Sequence, residues 1–389
     1  MDINIIGEIV FISVLLLLIN SYILYFPIIK IVSLFCKNKK NKSQTLPDVS
    51  VIISAYNEES VIYDRIINLL ELDYPKDKME VLIGSDGSTD KTNDILNSFS
   101  KKYTNIKSYI FPNNRGKAEV LNDLVAKASN EILIFTDANT VFDKNALKFL
   151  VEGYYDNSVG GISGKLILKD NLVSATESVE EKQYWEIETN IKEAEGKCGI
   201  LIGANGGIFS IRKKLFNTIP VNKPVTDDLF ISLNVLSKGY KFIFVHNAFA
   251  TEDVGINVKT EYERKVRFAA TNFQTLFFFK NLLFNSKPIL SYAFWSHKVI
   301  RWFSPVLLLL LFLFNVLLFN SSLFFNLMMY LQIIMYTLAL IGYLFTLINI
   351  KIKIFSLPFF FVITMIAFFN GFIRFLRKKH SIKWEPTIR

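Results

Sequence analysis

The chain has 389 residues, a formal net charge of +9, 51% hydrophobic residues and 36 Phe. It is too long for one ordinary domain of ~100–200 residues, and its apolar excess, concentrated at the two ends, is more than a soluble core needs. The basic balance does not point to a nucleic-acid partner, because many of the lysines and arginines gather beside hydrophobic segments, where a membrane surface explains them.

The first predicted element runs from Ile3 to Ile29 with Glu8 as its only charge. About 20 apolar residues can cross the hydrocarbon core as a helix, which satisfies its own backbone hydrogen bonds. Positive charges follow this segment and no small-residue cleavage site is evident, so residues 1–30 read as an anchor and not as a cleaved signal. Lys37, Lys39, Lys40 and Lys42 make 31–48 a basic linker, and positive residues mark the cytoplasmic side. They predict an outside N-terminus and a cytoplasmic central domain in a multi-pass cell-membrane protein. Cys36 and Cys198 are too few for a disulfide framework or a metal-ligand set, so a reducing compartment is expected.

Residues 49–260 alternate short apolar runs with amphipathic stretches. Val49–Ser54, Met79–Ser85 and Glu131–Thr136 have the pattern of buried strands, while Glu58–Leu70 and Lys117–Ala128 read as helices. Such alternation predicts an α/β domain with a doubly wound, mostly parallel sheet. Ligands of such sheets bind beyond the carboxyl ends of the strands. Residues 261–300 mix Arg264, Lys265, Arg267 and Lys280 with Phe268, Phe273 and Phe277–Phe279, the composition of amphipathic helices at a membrane interface. Three predicted spans fill 301–378, at about Pro305–Phe319, Leu323–Ile348 and Phe355–Leu376, before a basic tail at 379–389. Four spans in all would leave that tail outside, whereas its charge predicts inside; the two rules disagree.

Three of the candidate motifs, those around Tyr56, Asp86 and Asp137, sit at the predicted strand ends, and the others sit on predicted helices or helix starts. Ser54-Ala55-Tyr56-Asn57-Glu58-Glu59 follows the first strand and offers an aromatic ring and backbone groups to a nucleotide base. Gly84-Ser85-Asp86-Gly87-Ser88-Thr89-Asp90 follows the second; its Asp-Gly is turn chemistry, and its carboxylate can accept from a base or ribose. In Arg115-Gly116-Lys117, Lys117 opens a helix, where a cation is unfavourable unless an anion such as a diphosphate sits there. Thr136-Asp137-Ala138-Asn139 carries two oxygen-bearing side chains one residue apart, which can share a divalent cation with two phosphates. Thr226-Asp227-Asp228 has one more carboxylate than an N-cap requires, and one could serve as a general base. Arg264 and Arg267, three apart on a helix, share a face that could clamp a diphosphate. Each motif alone has a plain alternative: a turn, a cap, or a snorkelling interfacial helix.

Their order and spacing resemble family 2 glycosyltransferases, inverting enzymes of GT-A fold, and in particular the membrane-integrated branch of hyaluronan, chitin-oligosaccharide, poly-N-acetylglucosamine and cellulose synthases. The resemblance covers about Pro47 to Arg301. Lys165–Lys213, with Tyr184-Trp185 and Gly203-Ala204-Asn205-Gly206-Gly207, looks like the acceptor-side segment; Ser296–Trp302 and Trp384-Glu385-Pro386-Thr387 also have the look of this branch. The resemblance implies that Tyr56 and Glu58 contact the nucleoside, Asp86 the uracil or ribose, and Lys117 the diphosphate. It matches Asp137 and Asn139 to the DxD metal motif for Mg²⁺ or Mn²⁺. It matches Asp228 to the base of the TED motif, and Arg264, Arg267 and Phe268 to QxxRW. Three departures stand out: Ser85 for the first Asp of DDGS, Asn139 for the second Asp of DxD, and the loss of Gln and Trp from QxxRW, which in the family accompanies processive synthesis.

The resemblance therefore implies transfer from a UDP-sugar to a saccharide acceptor in a β-linked envelope or extracellular polymer. Addition of a single sugar to a membrane lipid remains the alternative. A transporter subunit with a nucleotide-binding domain is the reading from a different class, but the predicted spans offer no charged path. One anchor and three spans are sparse for a pore, which leaves room for a second copy or an export partner.

Overall fold

The computed structural model describes residues 3–36, 45–169, 179–253, 258–348, 350 and 352–378. The chain opens with α1 (Ile3–Ile19), a π-helical turn (Asn20–Leu24) and α2 (Tyr25–Phe35). There follow β1 (Val49–Ala55), α3 (Ile62–Leu70), β2 (Met79–Asp86), α4 (Thr92–Lys102), β3 (Ile106–Phe111), α5 (Lys117–Lys127) and β4 (Ile132–Asp137). Next come β5 (Thr140–Phe142), α6 (Ala146–Glu152), β6 (Val159–Lys169), α7 (Val179–Lys197), β7 (Phe209–Arg212), α8 (Asp227–Ser237) and β8 (Lys241–Asp253). The last helices are α9 (Val258–Phe278), α10 (Pro288–Ala293), α11 (Ile300–Leu317), α12 (Leu323–Leu347) and α13 (Lys353–Leu376), with a second π-helical turn (Phe294–Val299) before α11.

Two compact units result. One comprises Ile29–Ile256 with Phe277–Leu282; the other comprises Met1–Ile28, Asn257–Leu276 and Leu283–Lys379. In the first, an eight-stranded sheet runs β3-β2-β1-β4-β7-β6-β8-β5. β3, β2, β1 and β4 are mutually parallel, while β7 is antiparallel to both β4 and β6. Every residue of β1 and β2 is buried, as a parallel sheet covered on both faces requires. α3 buries Ile62, Ile66 and Leu69, the i, i+4, i+7 stripe of an amphipathic helix. The parallel register brings Ala55 beside Ser85 and Ser54 beside Asp137. Three strand ends therefore open on one edge.

The predicted helix over 58–70 begins only at Ile62. The preceding backbone is held elsewhere: Asn57 N donates to Ser88 Oγ at 3.1 Å and Glu58 N to Thr92 Oγ1 at 2.9 Å. The cysteine expectation is corrected. Cys36, just past α2, and Cys198, just past α7, form a disulfide with Cα atoms 5.1 Å apart across 162 residues of sequence. Two chain positions so distant in sequence become neighbours only through the fold, and the argument for a reducing compartment loses its unpaired thiols.

Among the described residues, four helices are long and apolar enough to cross a membrane: Asn4–Phe35, Pro288–Leu317, Leu323–Leu347 and Lys353–Leu376. The second starts earlier than predicted, since the helix continues through its π turn and takes in Lys298 and Arg301. Both π turns carry polar side chains: Asn20 Nδ2 donates to Ser296 Oγ at 2.9 Å, and Ser21 Oγ to the Ser296 carbonyl at 2.6 Å. Close helix approach is set by small residues: a Cβ at Gly342 would lie 2.3 Å from the Phe355 carbonyl, and one at Gly371 2.7 Å from that of Val266.

One glycine of the sheet decides where α5, the helix of Lys117, can lie. A Cβ on Gly84 would come 2.4 Å from Val120 Cγ1, a branched atom with little room to give. Gly84→Val should therefore overpack β2 against α5 and cost about 1–3 kcal/mol. Thermal unfolding of the purified full chain, read as a lowered Tm, checks this.

Candidate active site

The edge where β1, β2 and β4 end is organised by the first two loops holding one another. Asn57, at φ 53°, accepts the Thr89 N–H on Oδ1 at 2.9 Å. Glu59 Oε2 accepts from Lys91 N at 3.0 Å, and Asp90 Oδ2 from Glu59 N at 3.1 Å. Glu58 is buried and Tyr56 half-buried beside it. Asp86 is fully buried, and its two oxygens accept the Arg115 and Gly116 amides at 2.9 and 2.8 Å. Its carboxylate thus anchors the loop that leads into α5. Gly116, at φ 96°, caps that helix in a conformation that side chains avoid.

Lys117, the first residue of α5, carries the central interaction. Its Nζ lies 2.8 Å from Asp137 Oδ1 at the end of β4, and 2.9 Å from Asp227 Oδ2 in the first turn of α8. The anion that a lysine at a helix start calls for is thus supplied by two carboxylates. Burial would lower the lysine's pKa, but Asp137 and Asp227 outweigh it and hold it above its ordinary value. Lys117, Asp137 and Asp227 line a small cleft together with Leu121, Phe135, Thr136, Gly206 and Phe209.

The adjacent carboxylates of α8 have opposite shifts. Burial raises Asp227, yet Lys117 keeps it below the usual carboxylate range. Asp228 is pushed up to about 6 by burial and by neighbouring Asp227, against the attraction of Lys192 and Lys117. Its Oδ1 accepts the Leu229 N–H at 2.7 Å, and a Cβ on Gly206 would sit 3.3 Å from its Oδ2. The loop that carries Gly206 is fixed through Asn205, whose N–H donates to Ser163 Oγ at 2.9 Å and whose Nδ2 donates to the Gly164 carbonyl at 2.6 Å. Buried Lys192, from α7, donates to Asn205 Oδ1 at 2.5 Å. Sequence reasoning noted Asn205 but missed Lys192, which stands on a helix of undistinguished composition.

Asn139 donates its Nδ2 to Glu252 Oε1 at 2.8 Å, a contact made because Thr140 pairs with Glu252 across β5 and β8. Its amide oxygen remains an acceptor, so Asp137 and Asn139 together present the hard oxygen donors that suit Mg²⁺ or Mn²⁺. These two side chains fit the metal that the motif implies. Below them lies Arg65, which is fully buried. It donates to Thr136 Oγ1 at 2.8 Å and to Asn68 Oδ1 at 2.6 Å, and lies 4.4 Å from the centre of the Phe142 ring. Burial lowers it to about 9, opposed by Asp137. No sequence signal singled it out, because an arginine inside an amphipathic helix normally reads as surface.

Tyr56, Glu58, Asp86, Lys117, Asp137, Asn139 and Asp228 all belong to loops and element ends of the α/β unit. Arg264, Arg267 and Phe268 stand on α9 within the helical unit, where the Arg264 guanidinium lies 5.7 Å from the centre of the Phe268 ring. Trp384-Glu385-Pro386-Thr387 and the linker lysines lie outside the described residues.

Residues 50–219 match the family described as Glycosyl transferase family 2. These residues are a family 2 glycosyl transferase domain. The chain is 30% identical over 247 residues, 60% of its length and 57% of the relative's, to a Bacillus subtilis protein named "Probable glycosyltransferase YdaM". It is 31% identical over 176 residues to the poly-beta-1,6-N-acetyl-D-glucosamine synthase of Staphylococcus epidermidis, covering 45% of this chain and 42% of that one. The Staphylococcus aureus synthase of the same name is 26% identical over 275 residues, or 68% and 65% of the two chains. The chain thus spans about two-fifths to two-thirds of the length of these curated relatives. In fold it is similar to the mannosyltransferase PcManGT of Pyrobaculum calidifontis, solved with GDP-Man and Mn²⁺. That likeness has a TM-score of 0.68 at 20% identity and covers 96% of this chain and 100% of that one.

Within the family 2 domain, Arg65→Met would leave Thr136 Oγ1 without the Arg65 donor and Asn68 Oδ1 with Phe142 N alone, an expected loss of about 1–3 kcal/mol. Denaturant unfolding of the purified chain measures it, with Arg65→Lys expected to recover part of the loss.

Proposed function

We propose that this chain is an inverting glycosyltransferase that moves a sugar from a UDP-sugar to a saccharide acceptor and builds a β-linked envelope or extracellular polysaccharide. The observation that carries the reading is the pairing of a carboxylate raised to about 6, Asp228, with the cationic seat of Lys117 at the same strand-end edge. Family 2 membership of residues 50–219 supports it, as does the similarity to poly-N-acetylglucosamine synthases.

In this mechanism the acceptor hydroxyl gives its proton to Asp228 as its oxygen attacks the anomeric carbon. The bond from that carbon to the phosphate oxygen breaks with its electron pair, and UDP leaves. A single displacement inverts the centre, so an α-linked donor gives a β-glycoside. Lys117 faces the charge that develops on the diphosphate, a term that a preorganised cation supplies without reorganisation. Asp86 keeps the backbone before Lys117 in place, while Tyr56 and Glu58 border the nucleoside side. A bound Mg²⁺ or Mn²⁺, held by Asp137 and Asn139, would neutralise further diphosphate charge.

The loss of Gln and Trp around Arg264 and Arg267 favours one second reading, addition of a single sugar to a membrane lipid. Incubation of the detergent-purified chain with UDP-sugars, GDP-mannose, extracted lipid and Mn²⁺, followed by mass analysis, separates the two. A ladder of added sugars supports polymer synthesis, and a single addition to lipid supports the second reading. Absence of transfer from every UDP-sugar overturns the proposed donor.

Asp228→Asn should cut turnover by ~10²–10⁴ while UDP still binds. A base must be ionised, so with a pKa of about 6 the wild-type kcat/KM should hold above that pH and fall below it. A pH profile flat down to pH 5 would remove Asp228 from the role. The α/β unit is proposed to lie on the cytoplasmic side, supported by Lys37, Lys39, Lys40 and Lys42; the Cys36–Cys198 bond weighs against that side. Alkylation of native membranes tests the assignment: thiols that react without reductant favour the cytoplasm.

A further inference from the structure

Lys117 engages Asp137, one of the two side chains that fit a divalent cation, and does so in partnership with Asp227, which no motif assigned to that ion. The ammonium lies 2.8 and 2.9 Å from one oxygen of each carboxylate. The two carboxylates come from different elements, the end of β4 and the start of α8. They would repel one another without a cation between them. A protonated lysine and a divalent ion are both cations, and both would draw on the same Asp137 carboxylate. A Mg²⁺–oxygen bond is about 2.0–2.1 Å, so an ion on Asp137 would bring its double positive charge close to the ammonium, and the two would repel at short range in a partly buried site.

We infer that the Lys117 ammonium is a built-in competitor of the metal: it ties up Asp137 against Asp227 in the nucleotide-free protein, and a diphosphate releases Asp137 by taking the lysine over. The release step rests on the diphosphate reading proposed above, whereas the competition rests only on the triad. Metal and nucleotide are then positively coupled, since each binds better once the other has reorganised the same lysine, and the coupling is reciprocal. Lys117 acts on the metal through Asp137 and is, in this role, a positioning residue.

The test is Mn²⁺ binding to the purified full chain, read from the EPR signal of the free aqueous ion with no sugar transfer involved. Without nucleotide, Lys117→Met should bind Mn²⁺ at least tenfold more tightly than wild type. Lys117→Arg, which keeps a cation, should stay within threefold of wild type. Saturating UDP, after subtraction of the Mn²⁺ that UDP binds in protein-free buffer, should tighten wild-type Mn²⁺ binding at least tenfold and that of Lys117→Met by a clearly smaller factor. Adding Asp137→Ala to Lys117→Met should abolish the gain, which locates it. Lys117→Gln repeats the experiment with a neutral polar side chain should the methionine variant unfold. A neutral variant that folds yet binds Mn²⁺ no more tightly than wild type overturns the inference, whatever UDP does. If the neutral variants gain Mn²⁺ affinity but UDP leaves wild-type binding unchanged, the competition stands and the proposed diphosphate donor falls.

Discussion

One ammonium ties three elements of the α/β unit together. Lys117 stands at the start of α5, Asp137 at the end of β4 and Asp227 at the start of α8. The arrangement also separates two adjacent carboxylates chemically. Asp227 faces the lysine and stays ionised, while Asp228 feels Asp227 as a like charge in a half-buried place and is pushed up. Two titratable groups whose environments drive them apart are the usual sign of divided acid and base roles. Here the divergence depends on which side chain reaches one cation.

The layers beneath are built to keep that edge still. Asp86 spends both oxygens on backbone amides, which fixes the approach to Lys117 before any ligand arrives. Arg65 ties the floor of the β4–β5 turn from below, and Asn68 completes it by accepting from Phe142 N and donating to its carbonyl. On the other flank, Lys192 and Ser163 fix Asn205, and through it the Gly206 backbone beside Asp228. Buried polar groups of this kind are costly unless fully partnered, and when partnered they hold a site in one geometry. The helical unit follows a different rule. Its close contacts rest on Gly342 and Gly371, where a Cβ would run into a facing backbone carbonyl.

The amino-acid sequence by itself determined the layered α/β domain, the apolar helices at both ends, the strand-end positions of Tyr56, Asp86 and Asp137, and the helix-start positions of Lys117 and Asp228. These follow from local period and from turn chemistry, which short windows carry in full. It also showed that Lys117 needed an anion, without revealing which one. Only the tertiary structure decided that Asp137 and Asp227 supply it, that Glu252 holds Asn139, that Arg65 and Lys192 are interior cations, and that Cys36 meets Cys198. Each of these contacts joins residues far apart in sequence, where no window sees both partners. Long-range burial is also what turns an ordinary charged side chain into a functional one. The physical reason is the same in every case: periodicity fixes which face a residue takes, but only the packed sheet fixes which charge it faces.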